Sequence, residues 1–189
     1  STQEEHTKAL LESQTIIELD ALADSIKQFL VPILCLWLYS VRLVSEVREK
    51  LSLVIVVEEA HNVLYRGEHR SKETVMNRLL RQCREIGIGI IVVDQSPHLI
   101  SSVALGNTYT SICLNLKDPS DINRAASLSH LTEYEKGHLT LLPLGEGIVK
   151  LQDRWRRPIL VKVPLVDVAK GAVTDDLLKR YLDGSLNRR

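Results

Sequence analysis

The apolar positions of the chain fall into short β-branched runs separated by longer helical stretches. Residues 53–57 (LVIVV) are continuously aliphatic, which predicts a strand buried on both faces of a parallel sheet rather than one half open to water. Residues 88–93 repeat that pattern, and residues 15–19 form a third β-rich run that ends at Asp20. Between residues 15–19 and 53–57, residues 21–50 predict one long helix, with Asp20 or Asp24 as cap. Pro32 either kinks this helix or begins its main part. Its apolar residues occupy too many faces for a surface helix, so Trp37, Leu38 and Val41 are expected against the sheet. Further helices are expected at residues 72–85, 118–128, 131–138 (capped by Thr132) and 174–182, with a short helix and turn at 98–106. Residues 110–116 predict a strand, and 147–151 with 159–163 a hairpin. The alternation implies an α/β fold: a mainly parallel sheet flanked by helices, ending in a C-terminal β-hairpin. One domain is expected over residues 1–189, with an arm at 1–14, a core at 15–165 and a helix and tail at 166–189.

Composition narrows the possibilities. At 189 residues and 44% hydrophobic content the chain can bury one real core. Its 24 basic residues balance 24 acidic ones, so a nucleic-acid contact must come from a local patch. Cys35, Cys83 and Cys113 lie far apart without metal-ligand spacing and are expected to be reduced. No signal peptide is expected, and the apolar run at residues 29–39 falls short of the ~20 residues that cross a bilayer. A cytoplasmic protein without a membrane partner is the expectation. The first residue is Ser1 and the only methionine is Met76, which reads as a fragment or processed chain. None of the nine glycines precedes a lysine, so these residues hold no G-x-x-x-x-G-K-[ST] phosphate loop.

The chemistry concentrates where the first buried strand ends. Glu58 and Glu59 follow Val57 at the carboxyl edge, where open α/β sheets bind ligands. Two adjacent carboxylates repel unless a cation compensates, and a metal-bound nucleotide would do so. The plainer alternative is a helix N-terminus, whose dipole favours acids. Gln95, just past residues 88–93, is expected on the same edge, either at the ligand or capping backbone. His61 is a weaker candidate for coupling the site to DNA, or a packing residue. Arg78, Arg81 and Arg84 are spaced three apart along one helix side, which is ordinarily a solvated face. Arg154, Trp155, Arg156 and Arg157 in the hairpin turn suit either a phosphate-and-base contact or a neighbouring subunit. No G-x-S-x-G elbow supports serine hydrolysis.

The order of these motifs carries a resemblance. A hydrophobic strand closing in Glu58, Glu59, Ala60 and His61 resembles the Walker B motif of P-loop ATPases, with Glu where the pattern usually has Asp. The succession through Arg84, Gly87, Ile88 and Gly89, a buried strand, then Gln95, Ser96 and Pro97 resembles the HerA and FtsK group of DNA-pumping ATPases. It continues through Leu105 to Thr108, Leu116 to Asp121 and Leu144 to Gly147, covering roughly residues 14–165. The resemblance implies an incomplete RecA-like P-loop core, the carboxyl-terminal part of a motor domain, with ATP and Mg²⁺ as cofactors. It implies that Glu59 orients and polarises the attacking water, Glu58 holds magnesium, Gln95 senses the γ-phosphate and Arg84 reaches a neighbouring subunit's nucleotide. DNA, a homo-oligomer as a hexameric ring and a nuclease are the implied partners. The rival reading is a catalytically inactive scaffold or interaction module that keeps the fold without the phosphate loop.

Overall fold

The computed structural model of the chain describes residues 11, 13–45, 48, 50–66, 74–168, 171 and 173–182. Helix α1 (Asp24–Leu43) leads into strand β1 (Leu53–Val57), followed by helix α2 (Val75–Gln82) and strand β2 (Ile88–Val92). Then come α3 (Ser102–Gly106), β3 (Thr110–Cys113), α4 (Pro119–Ser129) and α5 (Glu133–Lys136), the hairpin strands β4 (Glu146–Leu151) and β5 (Ile159–Lys162), and α6 (Asp175–Leu182). The α/β class is as the hydrophobic pattern implies. β1 and β2 run parallel, with Leu53 opposite Ile88 and Val57 opposite Val92. β3, β4 and β5 form a separate antiparallel sheet in that order.

Three expectations need correction. Residues 15–19 are described but form no strand, and Ile16 is 89% exposed. A β-rich run becomes a strand only where its backbone finds a partner, and β1 bonds to β2 alone among the described residues. Nor is β1 buried on both faces. Leu53, Ile55 and Val57 face the core, whereas Val54 and Val56, with Ile91 and Val93 of the neighbouring segment, are about half exposed. The continuous apolar run calls for two covering layers, and the described residues supply one. Finally, α1 does reach the length and apolarity that could cross a bilayer, with a mean hydropathy of 1.4 over 18 residues. A contiguous-run count misses this because a helix averages over scattered polar positions. Its buried Cys35, with partly buried Val31 and Tyr39, packs into the chain's own core, whereas only 11% of that window is buried and Phe29, Leu30, Ile33 and Leu36 are exposed.

α1 starts without a side-chain cap; Asp24 pairs instead with Lys27 at 3.3 Å. Trp37 and Val41 are partly buried, and the Tyr39 hydroxyl donates to Gln82 Oε1 of α2 at 3.2 Å. The core beneath β1 and β2 joins Cys35, Val57, Leu64, Met76, Leu79, Ile100 and Leu105. A second core of Ile122, Ala125, Ala126, Leu139, Leu142 and Ile148 fastens α4 to the antiparallel sheet. Local chemistry sets the helix starts. The Asp118 carboxylate accepts from the Ser120 and Asp121 amides, and those bonds hold it below the usual carboxylate range. Thr132 and Glu135 form a reciprocal capping box that likewise lowers the Glu135 carboxyl.

The link between α2 and β2 is tight. Gly87 is left-handed (φ 71°), and its carbonyl accepts from Ser52 N at 2.8 Å, which sets the entry of β1 beside β2. At the far end of the chain the hairpin tip is held from inside. Lys150, 4% exposed, donates to the carbonyls of Leu151, Trp155 and Arg156. Arg154, Arg156 and Arg157 stay exposed around Trp155.

Candidate functional site

Parallel pairing puts the ends of β1 and β2 at one edge, and two bonds extend the ladder beyond the strands. Val93 N donates to Val57 O at 2.9 Å, and Ala60 N donates to Val93 O at 3.3 Å. The chain then turns sharply at Glu59, which adopts φ 45° and ψ 49° before the 3₁₀ turn Ala60–Asn62. Left-handed backbone costs a non-glycine residue about 1–2 kcal/mol, and such strain gathers at functional sites. The turn delivers the Glu59 side chain to Gln95, whose Nε2 donates to Glu59 Oε1 at 2.9 Å.

Beneath this pair lies a carboxylate that sequence reasoning missed. Asp94, with a side chain only 3% exposed, accepts from His61 N at 2.7 Å and His61 Nδ1 at 2.9 Å on one oxygen. Its other oxygen accepts from Ser96 N at 2.7 Å. The same His61 nitrogen is 3.6 Å from Glu59 Oε2. Asp94 therefore ties the turn after β1 to the turn after β2 and fixes the imidazole beside Glu59. No local spacing could reveal it, because its partner His61 lies 33 positions away. Asp94→Asn keeps the shape but turns an NH₂ toward one of two backbone N–H groups. It should cost about 1–3 kcal/mol, read as a shifted urea midpoint. An unchanged midpoint would show that the carboxylate does not organise the edge.

The sequence-predicted residues divide in three. Glu59 and Gln95 are in contact, with His61 beside them. Glu58 is adjacent in sequence and exposed, and has no hydrogen bond or ion pair among the described residues. Arg84 sits in the 3₁₀ turn Cys83–Ile86, before β2 begins. That is the amino edge of the sheet, a strand length of roughly 17 Å from Glu59, so Arg84 does not meet Glu59 within one chain.

The donor atoms of Glu59, His61 and Asp94 lie within 4.8 Å of one another, and Glu58 stands outside that group. Asp94 is already committed to backbone and imidazole donors. The available oxygen donors are then the half-exposed Glu59 and the exposed Glu58, open to water. That fits a hard, water-retaining cation such as Mg²⁺ held by one or two carboxylates.

No protein-family profile matches the chain. Among curated proteins it is 33% identical over 112 residues to the DNA double-strand break repair helicase HerA of Pyrococcus furiosus. That match takes in 59% of this chain and 20% of the helicase. It is 30% identical over 115 residues to the HerA helicase of Sulfurisphaera tokodaii, covering 60% of this chain and 23% of that protein. The chain is a relative of the HerA helicases. It spans about a quarter or less of the length of these HerA relatives. Among solved structures it is similar in fold to the genome packaging NTPase B204 of Sulfolobus turreted icosahedral virus 2 in complex with AMP. The TM-score is 0.56 at 15% identity, covering 84% of this chain and 71% of that one. The α/β architecture of this HerA-related chain is thus that of a P-loop ATPase.

Proposed function

We propose that the chain is the carboxyl-terminal portion of the motor core of an ATP-dependent DNA translocase or helicase, acting in the cytoplasm. The observation that carries this reading is the contact between Glu59 and Gln95 at the carboxyl edge of a parallel pair, in a chain related to HerA helicases. The similar viral NTPase was solved with AMP, which supports a nucleotide ligand. Glu59 holds and polarises a water for attack on the terminal phosphate. Gln95 fixes the Glu59 carboxylate and offers an amide to that water or phosphate, since phosphoryl transfer depends mainly on positioning. His61, anchored by Asp94, restrains the second Glu59 oxygen. Mg²⁺ held by Glu58, directly or through water, with Glu59 would neutralise charge on the phosphates. The lysine and backbone amides of a phosphate loop come from outside these residues. Arg84 completes the site of a neighbouring copy, which calls for a ring, with six subunits as the proposed number.

The test compares this chain with a longer protein that also carries a phosphate loop. The longer protein should hydrolyse ATP with magnesium, faster when DNA is added, while calorimetry on the 189-residue chain detects weak ATP binding or none. A longer protein that binds DNA without hydrolysing ATP would favour the scaffold reading.

A further inference from the structure

A second polar site lies beside the first. Arg66, His98, Ser120, Asn123, Arg124 and Ser127 line one open cavity of about 360 Å³. The topology that builds the hydrolytic edge also builds this cavity. Arg66 N donates to Leu99 O at 2.7 Å, which carries the chain after the His61 turn alongside the segment after Gln95. His98 is fixed from behind by buried Asp121, whose Oδ1 accepts from His98 N at 3.0 Å and contacts Nδ1 at 2.8 Å. That leaves the Nε2 side of the ring without a partner among the described residues. Arg124 donates from Nη2 to Ser102 at 3.1 Å, while its buried Nε has no acceptor. Arg66 has no carboxylate partner among the described residues. The two guanidinium groups are close enough for Arg66 to help lower the Arg124 pKa, after the larger effect of burial.

Two like charges on one cavity make an arrangement that an anion stabilises. The α4 N-terminus contributes nothing to it, because Asp118 already occupies the Ser120 and Asp121 amides. Guanidinium forks pair bidentately with phosphate oxygens, a phosphate has more oxygens than a carboxylate to divide between two guanidinium groups, and the Ser120, Asn123 and Ser127 side chains add neutral hydrogen-bonding partners. We propose that this cavity binds a phosphate group, separately from the Glu59–Gln95 edge. The phosphate belongs either to a nucleic-acid backbone or to a free phosphate compound. His98 lies three positions beyond Gln95, so occupancy here bears on the segment that positions the Glu59 partner.

The experiment titrates the chain with a single-stranded oligonucleotide and, separately, with inorganic phosphate, following the Arg124 Nε–H resonance by NMR. A shift with oligonucleotide alone assigns a backbone phosphate, and a shift with inorganic phosphate assigns a free one. Arg66→Glu and Ser127→Asp, each placing a negative charge at the cavity, should weaken the responding probe by about tenfold or more. For the oligonucleotide Arg66→Glu should also lower the salt slope by about one. Arg156→Ala at the hairpin tip should leave the cavity response unchanged. Circular dichroism checks that each variant is folded. A resonance that moves with neither probe overturns the proposal, as does a loss that follows Arg156 and spares Arg66 and Ser127.

Discussion

Glu59→Gln in a complete motor carrying this segment should preserve nucleotide binding and cut turnover by about 10³-fold or more. The loss follows from geometry as well as charge. The introduced carbonyl can still accept from Gln95 Nε2, so the 2.9 Å contact and the left-handed turn survive. What disappears is the negative charge that draws a proton from water, and general-base contributions run to about 10²–10⁴-fold. The other new terminus is an NH₂ where Oε2 now sits 3.6 Å from His61 Nδ1, so the imidazole loses an anionic neighbour. Single-turnover kinetics separates the two effects: binding unchanged and the chemical step slowed. Near wild-type turnover would move the role elsewhere, with Glu58 the next candidate, being exposed and uncommitted.

Gly87→Ala should be the most damaging of the alanine substitutions at the described glycines, costing about 3 kcal/mol or more. Two penalties coincide there. The residue has φ 71°, which disfavours any side chain, and a Cβ would lie 2.0 Å from Lys50 O. Backbone cannot retreat from that contact cheaply, since the Gly87 carbonyl also holds Ser52 N beside β1. Losses of this size belong to strained or sterically blocked positions. Gly106→Ala is the control: nothing lies within 4 Å of its Cβ, and it ends helix α3. Urea unfolding should show that variant near or slightly above the parent stability, with Gly87→Ala far below or unfolded. Equal stability of the two would mean that the turn is not what registers β1 against β2.

The chain shows how far each level of structure can be read from residues. β1 and β2 were legible because an unbroken aliphatic run has few other uses, and their parallel pairing follows from the intervening helix. Thr132 was legible as a cap because capping acts within three residues. The placement of Gln95 beside Glu59 followed from strand ends sharing an edge. Asp94 was not legible as the tie between the two turns, since its bonds to His61 join residues 33 positions apart and an acid beside Gln95 has no distinctive local pattern. Lys150 is similar: a lysine in a strand reads as exposed, and only the closed hairpin shows it buried among carbonyls. Residues 15–19 failed for the opposite reason. Their β propensity is real, but a strand also needs a neighbour. The exposed faces of Val54, Val56, Ile91 and Val93 point to the same cause, a sheet with one covering layer among the described residues.

The central claim is that hydrolysis occurs where the Glu59–Gln95 edge of one copy meets Arg84 of the next. For Arg84 to donate to that nucleotide it must come from a second copy, because Arg84 precedes β2 while Glu59 and Gln95 follow the strand ends. An arginine donating to phosphate oxygens as charge builds contributes about 10³-fold or more. The most direct measurement mixes Arg84→Ala and Glu59→Gln subunits of the complete motor and reads ATP hydrolysis. Activity above the sum of the two separate variants is the predicted result, since some interfaces then pair an intact arginine with an intact glutamate. Activity no greater than that sum would contradict the shared site.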